Sequence, residues 1–202
     1  MTIDTLVFTG GFREPVFQSQ SVFRTLMDCM ARPGTVGRIA PAVLPPPPLG
    51  AMAGAVALTL CDQDTPVWLT PGLAGSALPA WLAFHAGAPV TDDRQTARFA
   101  FIEKAALLPS LSLFAQGTQD YPDRSTTIVV EIEAVEGGRP FRLTGPGIRD
   151  EAIVAPRGLP DLFAQMWSEN RRAFPCGVDL VLAAGEEIAC LPRTTVVRPL
   201  EA

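Results

Sequence analysis

The closing segment "FPCGVDLVLAAGEEIACLPRTT", Phe174 to Thr195, is apolar almost without interruption on either side of a Gly-Glu turn. A hairpin with one wet face alternates apolar and polar positions. Here Val178, Leu180 and Leu182 fall on one side while Val181 and Ala183 fall on the other. The pattern therefore predicts a hairpin dry on both faces. Helical spacing governs other stretches. In "SQSVFRTLMDCMARPG", Val22, Phe23, Leu26, Met27 and Met30 predict one buried helix face, with Ser19 or Ser21 as cap and Pro33-Gly34 as stop. Met52 to Leu60 is apolar all round and predicts a buried helix. Further helices are predicted over about Ser76 to Ala86, ending at His85, and over Leu107 to Ala115. "LPDLFAQMWSENRR" predicts another, with Leu162, Phe163, Met166 and Trp167 inward.

Strand signals lie between the helices. "PVWL" follows a turn at Asp62 and Asp64, and "ARFAFIE" places Ala97, Phe99 and Phe101 on one face. "TTIVVEIEAV" and "RPFRLTGPGI" flank Glu136 to Gly138 and predict a hairpin, with "EAIVAP" as a further strand. Pro45 to Pro48, within a Pro-rich connector at 41–50, predict stiff polyproline II, and residues 1–16 read as a tail. Helices interleaved with strands imply a single α/β domain over 1–202, with helices on both faces of one sheet. The sheet must be mixed, because its last connections are hairpins.

Composition narrows the chemistry. A chain of 202 residues suits one core without disulfide or metal support. A net charge of −5 argues against nucleic-acid binding, and no run reaches the ~18 apolar residues of a membrane span. The start lacks a secretory signal pattern, so the expected setting is the cytoplasm. Lys104 is the single lysine and His85 the single histidine, so a Schiff base would need Lys104 and a multi-histidine metal site is excluded. Cys29, Cys61, Cys176 and Cys190 share no metal-ligand spacing and read as small buried hydrophobes.

Two motifs remain as candidates. "LTGPGI" carries Gly145 and Gly147, whose backbone could approach a phosphate or simply turn the chain. "LPRTT" carries Arg193, Thr194 and Thr195, a guanidinium beside two hydroxyls. Arg142 and Arg149 could converge with Arg193 on an anion. No nucleophile elbow, Walker loop or zincin helix is present.

The segments "FRTLMDCMARPG", "LTLCDQDTPVWL", "FHAGAP", "RLTGPGI" and "FPCGVDLVLAAGEEIACLPRTT" occur in order over roughly residues 17 to 197. Together they resemble the PhnH family, a subunit of bacterial carbon–phosphorus lyase. The resemblance implies a three-layer α/β/α fold similar to pyridoxal-phosphate-dependent transferases but without the cofactor site. It further implies a homodimer that joins the G, I and J subunits in alkylphosphonate breakdown. There the I subunit, helped by G, H and L, attaches methylphosphonate to the ribose of ATP, and the J subunit later cleaves the C–P bond. No catalytic residue carries over. Two readings stay open: a scaffold subunit without its own reaction, or a nucleotide- or phosphonate-binding subunit using Arg142, Gly145, Gly147, Arg193, Thr194 and Thr195. The scaffold reading expects an exposed apolar patch, with Trp68, Trp81 and Trp167 as the first anchors to inspect.

Overall fold

The computed structural model describes residues 7–104 and 106–200. Helix α1 (Pro15–Ala31) opens the body. Its start differs from expectation: Pro15 occupies the first turn, where a missing N–H costs nothing, and the Gln18 side chain accepts the Glu14 N–H at 3.0 Å. Ser19 lies inside the helix, its hydroxyl turned back to Pro15 O. Strand β1 (Val36–Arg38) follows, then α2 (Ala51–Leu60), β2 (Val67–Leu69), α3 (Pro71–Ala74), α4 (Leu78–His85), β3 (Phe99–Ile102) and β4 (Thr127–Glu131). The chain then forms β5 (Phe141–Thr144), β6 (Ala152–Val154), α5 (Phe163–Arg172), β7 (Asp179–Ala184), β8 (Glu187–Leu191) and β9 (Val196–Pro199).

The main sheet has the order β1-β8-β7-β4-β3-β2. Strands β2, β3, β4 and β7 are parallel, whereas at one edge β8 pairs antiparallel with β7 and β1 antiparallel with β8. The mixed α/β architecture is therefore present. The closing hairpin is β7–β8, with Gly185 in the left-handed region at φ +57 in its turn. Val181 and Ala183 enter the core beneath α1, α2 and α4; Leu180 and Leu182 enter the opposite core. Both faces are dry, as the unbroken apolar run requires.

One sheet was expected and two are found. The second is antiparallel, in the order β6-β5-β9, and shares its core with α5. The β4–β5 hairpin does not form, because both edges of β4 are already occupied by β3 and β7. The chain leaving β4 crosses to the second layer instead. That layer supplies Phe141, Leu143, Phe163, Trp167 and Val197 against Leu180 and Leu182. Thus the second face carries a helix plus a small sheet rather than helices alone.

Other local departures have physical causes. Over Leu107 to Ala115 only the 3₁₀ turn Leu111–Leu113 forms, since Pro109 breaks the ladder and the Ser110 and Ser112 hydroxyls bond each other at 3.0 Å. The proline run is not a rod. Leu49 N–H bonds Pro46 O at 3.3 Å, and Val43 and Leu49 are buried in the core beside α2. The part of the expected tail that is described is docked. Trp81 Nε1 donates to Thr9 O at 2.9 Å, and Leu44 N–H donates to Gly10 O at 2.8 Å. Residues 1–6 of that tail lie outside the described residues. In β3, Phe99 and Phe101 share one core as expected, but Ala97, which precedes the strand, packs into the other.

The inward face of α1 is Val22, Leu26 and Cys29, which packs on β8. Phe23 and Met27, expected inside, are 47% and 52% exposed. A seam spaced 4 and 3 residues apart covers only a narrow stripe, so the neighbouring apolar positions face outward. Likewise Leu162 precedes α5 and is exposed, whereas Phe163 and Trp167 are fully buried.

Candidate functional site

The "LPRTT" segment forms the best-connected polar node in the structure. Antiparallel pairing sets Arg193, just past β8, beside Asp179 at the start of β7. Asp179 Oδ1 accepts the Arg193 backbone N–H at 2.7 Å and its Nε–H at 3.1 Å, while Nη2 donates to Oδ2. The same guanidinium donates to Pro122 O and to Ser125 Oγ, each at 2.6 Å. The two side chains are 13% and 19% exposed. Arg193 therefore clamps the segment Pro122–Ser125 to the closing hairpin, with its guanidinium engaged internally.

The other candidates divide into separate places. Gly145, at φ +134, lies against the Thr194 carbonyl, where a Cβ would approach to 3.0 Å. Gly147, at φ +80, abuts the Ala31 carbonyl at the end of α1. The "LTGPGI" turn thus locks α1 to the second sheet, and its glycines serve close backbone approach. Arg142 stands opposite Arg198 across β5–β9 and pairs with Glu151 at 3.1 Å on the surface. Trp167 Nε1 donates to Thr195 O at 2.8 Å. The Thr195 hydroxyl is buried without a hydrogen-bond partner among the described residues. Replacing it by an isosteric methyl removes a desolvated polar group, so Thr195→Val should leave stability unchanged or raise it by about 1 kcal/mol. Thermal melting checks this; a drop would mean that the hydroxyl has a partner.

Beside the clamp, at the amino ends of β2, β3 and β4, lies a cleft of about 300 Å³ lined by Asp64, Thr65, Arg98, Asp123, Arg124 and Thr127. The Asp62–Asp64 turn takes its expected form, with Asp64 N–H bonded to Asp62 Oδ1 at 3.0 Å. Segment 122–125, fixed by Arg193, brings Asp123 and Arg124 to the wall. Arg124 also stacks over the Tyr121 ring at 4.0 Å. Sequence reading assigned no role to Arg98, Asp123 or Arg124. These residues come from three distant segments, and no local motif marks their meeting.

The opposite edge of the parallel strands gathers acids. Glu103 follows β3, is buried, and accepts the Thr70 hydroxyl hydrogen bond. Glu131 ends β4 and accepts the Gly50 N–H at the head of α2 at 2.7 Å. Burial pushes its carboxyl up from 4.5 to about 7, against the pull of hydrogen bonds from the Gly50 and Lys104 backbones. Lys104 is exposed and borders a hollow of about 170 Å³ with Leu108, Val130, Glu131 and Leu159.

Remaining sequence candidates are accounted for by packing. Cys29, Cys61 and Cys190 are buried free thiols, and desolvation drives the Cys61 thiol well up. His85 packs against Trp81 and Phe84 with ring centroids 5.0 and 4.8 Å away. Trp68, Trp81 and Trp167 are all core residues and offer no surface anchor. Exposed apolar residues occur at several places, Leu44 and Leu107 among them, and four lie on α1, where Val16 and Phe17 are 72% exposed and are followed by Phe23 and Met27. Among the described residues, no His/Cys/Asp/Glu group could hold a metal ion and no helix is long and apolar enough to cross a membrane.

The fold defines an α/β protein in which Arg193 is bonded within the chain and Gly145 and Gly147 lie at close backbone approaches. Residues 10–198 match the family described as "Bacterial phosphonate metabolism protein (PhnH)", and the chain belongs to that family. It is 58% identical over 195 residues to "Alpha-D-ribose 1-methylphosphonate 5-triphosphate synthase subunit PhnH" of Rhizobium meliloti (strain 1021), covering 96% of this chain and 98% of that one. It is also 39% identical over 79 residues to "Putative C-P lyase subunit protein HtxG" of Stutzerimonas stutzeri, covering 39% and 40% of the two chains.

Proposed function

We propose that this protein is a PhnH subunit of a carbon–phosphorus lyase system, required for forming ribose 1-methylphosphonate 5-triphosphate from ATP and methylphosphonate, and that its role is assembly rather than catalysis. The near full-length match to the Rhizobium meliloti subunit carries this reading. The engaged donors of Arg193 favour a structural part for "LPRTT" over direct contact with an anion.

In this reading the protein acts in the cytoplasm as a homodimer that joins the G, I and J subunits. The likeness to the pyridoxal-phosphate-dependent transferase fold belongs to the same proposal, supported by the parallel run β2-β3-β4-β7 flanked by helices. The outward stripe of α1 is the surface we assign to subunit contact, since Phe23 and Met27 face solvent without serving the core. The double substitution Phe23→Asp, Met27→Asp should leave the melting temperature near wild type while abolishing co-purification with the G, I and J subunits. It should also abolish growth on methylphosphonate in a strain lacking the native chain. Full co-purification by a folded double variant would remove α1 as the contact surface. Normal growth of the deletion strain would remove the functional reading itself.

A further inference from the structure

The cleft at the amino edge of the main sheet carries charges that form no ion pair among the described residues, although Arg124 also stacks over Tyr121. Arg98 is half-buried beside β3, and Arg124 is carried by the clamped segment. Asp64 and Asp123 line the same cleft. No ion pair among the described residues involves any of these four side chains. Opposite charges that merely neutralised each other would close into contact, as Arg193 and Asp179 do behind the wall. Held apart around about 300 Å³ of open space, they leave room for a small polar molecule.

We propose that this cleft binds a small polyhydroxylated molecule bearing a phosphoryl or phosphonyl group. Arg98 and Arg124 hold the oxyanion, and Asp64 and Asp123 accept its hydroxyls. Guanidinium groups match tetrahedral oxyanions through paired N–H donors, and the Thr65 and Thr127 side chains lie on the same lining. With two carboxylates in the lining, a bare anion would meet repulsion that a hydroxylated one turns into hydrogen bonds. Rigidity has a source as well. Arg193 donates to Pro122 O and Ser125 Oγ on either side of Asp123 and Arg124. It acts as a positioning residue for the site and makes no contact with the ligand. The choice of sugar phosphate and phosphonate as ligands rests on the subunit reading, but binding measured on the isolated chain can fail while that reading, tested by co-purification and growth, stands.

The test is calorimetric titration of the full-length protein with ribose 5-phosphate, ribose, inorganic phosphate and methylphosphonate. Ribose 5-phosphate should bind saturably and more tightly than inorganic phosphate, and ribose alone should not bind. Arg98→Gln and Arg124→Gln should each weaken ribose 5-phosphate about tenfold, whereas Arg98→Lys should retain part of the affinity. Asp123→Asn should shift the two phosphates in opposite directions, weakening the sugar phosphate and tightening inorganic phosphate. Methylphosphonate binding above or below phosphate tells which oxyanion the cleft prefers. In the unaltered protein, amide shifts on titration should cluster at residues 64–65, 98–99 and 123–127, a readout that needs no variant to fold. Absence of saturable ribose 5-phosphate binding, binding no tighter than that of inorganic phosphate, shifts elsewhere, or unchanged binding by both glutamine variants would overturn the site.

Discussion

Asp179→Ala is expected to lower the free energy of unfolding by about 3–5 kcal/mol, and Arg193→Ala by less. The asymmetry follows from what each deletion leaves behind. Without Asp179, the Arg193 guanidinium stays charged in a mostly enclosed position, because arginine does not give up its proton in proteins. Without Arg193, the partly exposed Asp179 carboxylate can draw water into the vacated space, which limits the penalty. Asp179→Asn isolates the charge, since its amide oxygen can still accept the Arg193 backbone N–H now bound at 2.7 Å. It should fall between wild type and Asp179→Ala in urea unfolding. The double variant Asp179→Ala, Arg193→Ala should be more stable than the sum of the single losses predicts. Strict additivity would show that the pair is not coupled.

The same clamp shows where sequence reading stops. Arg193, Thr194 and Thr195 stood out because a guanidinium beside two hydroxyls is an anion-binding composition. Their partners, Asp179, Pro122 O and Ser125, lie 14, 71 and 68 residues away in the chain, and no periodicity announces them. The dry hairpin was legible because burial on two faces leaves a direct trace in residue type. The second sheet was not, because β5 alternates equally well whether it returns on β4 or joins another layer. Strand pairing is decided by which edges are free, and the edges of β4 were taken by β3 and by β7, whose register partners lie 52 residues later in the chain. Phe23 and Met27 failed for a different reason. Helical spacing marks an apolar arc but does not say how much of that arc one packing partner covers.

Glu131 gives the second large effect, and it is one of pH. The unfolded carboxyl releases its proton near 4.5, whereas the folded one holds it to about 7 because burial penalises the charge. Between these values the folded chain carries a proton that the unfolded chain has lost, so raising the pH favours unfolding by about 1.4 kcal/mol per unit. Below 4.5 both states are protonated and the contribution is complete; above about 7 both are ionised and it is gone. The loss across the window approaches about 3 kcal/mol if no other group compensates. Glu131→Gln keeps an oxygen for the Gly50 N–H at the head of α2 but cannot ionise. Its urea midpoint should therefore exceed wild type at pH 8 and match it at pH 4.5, with the wild-type decline between those values largely abolished. Parallel midpoint curves for the two proteins would show that Glu131 is not the group behind the decline.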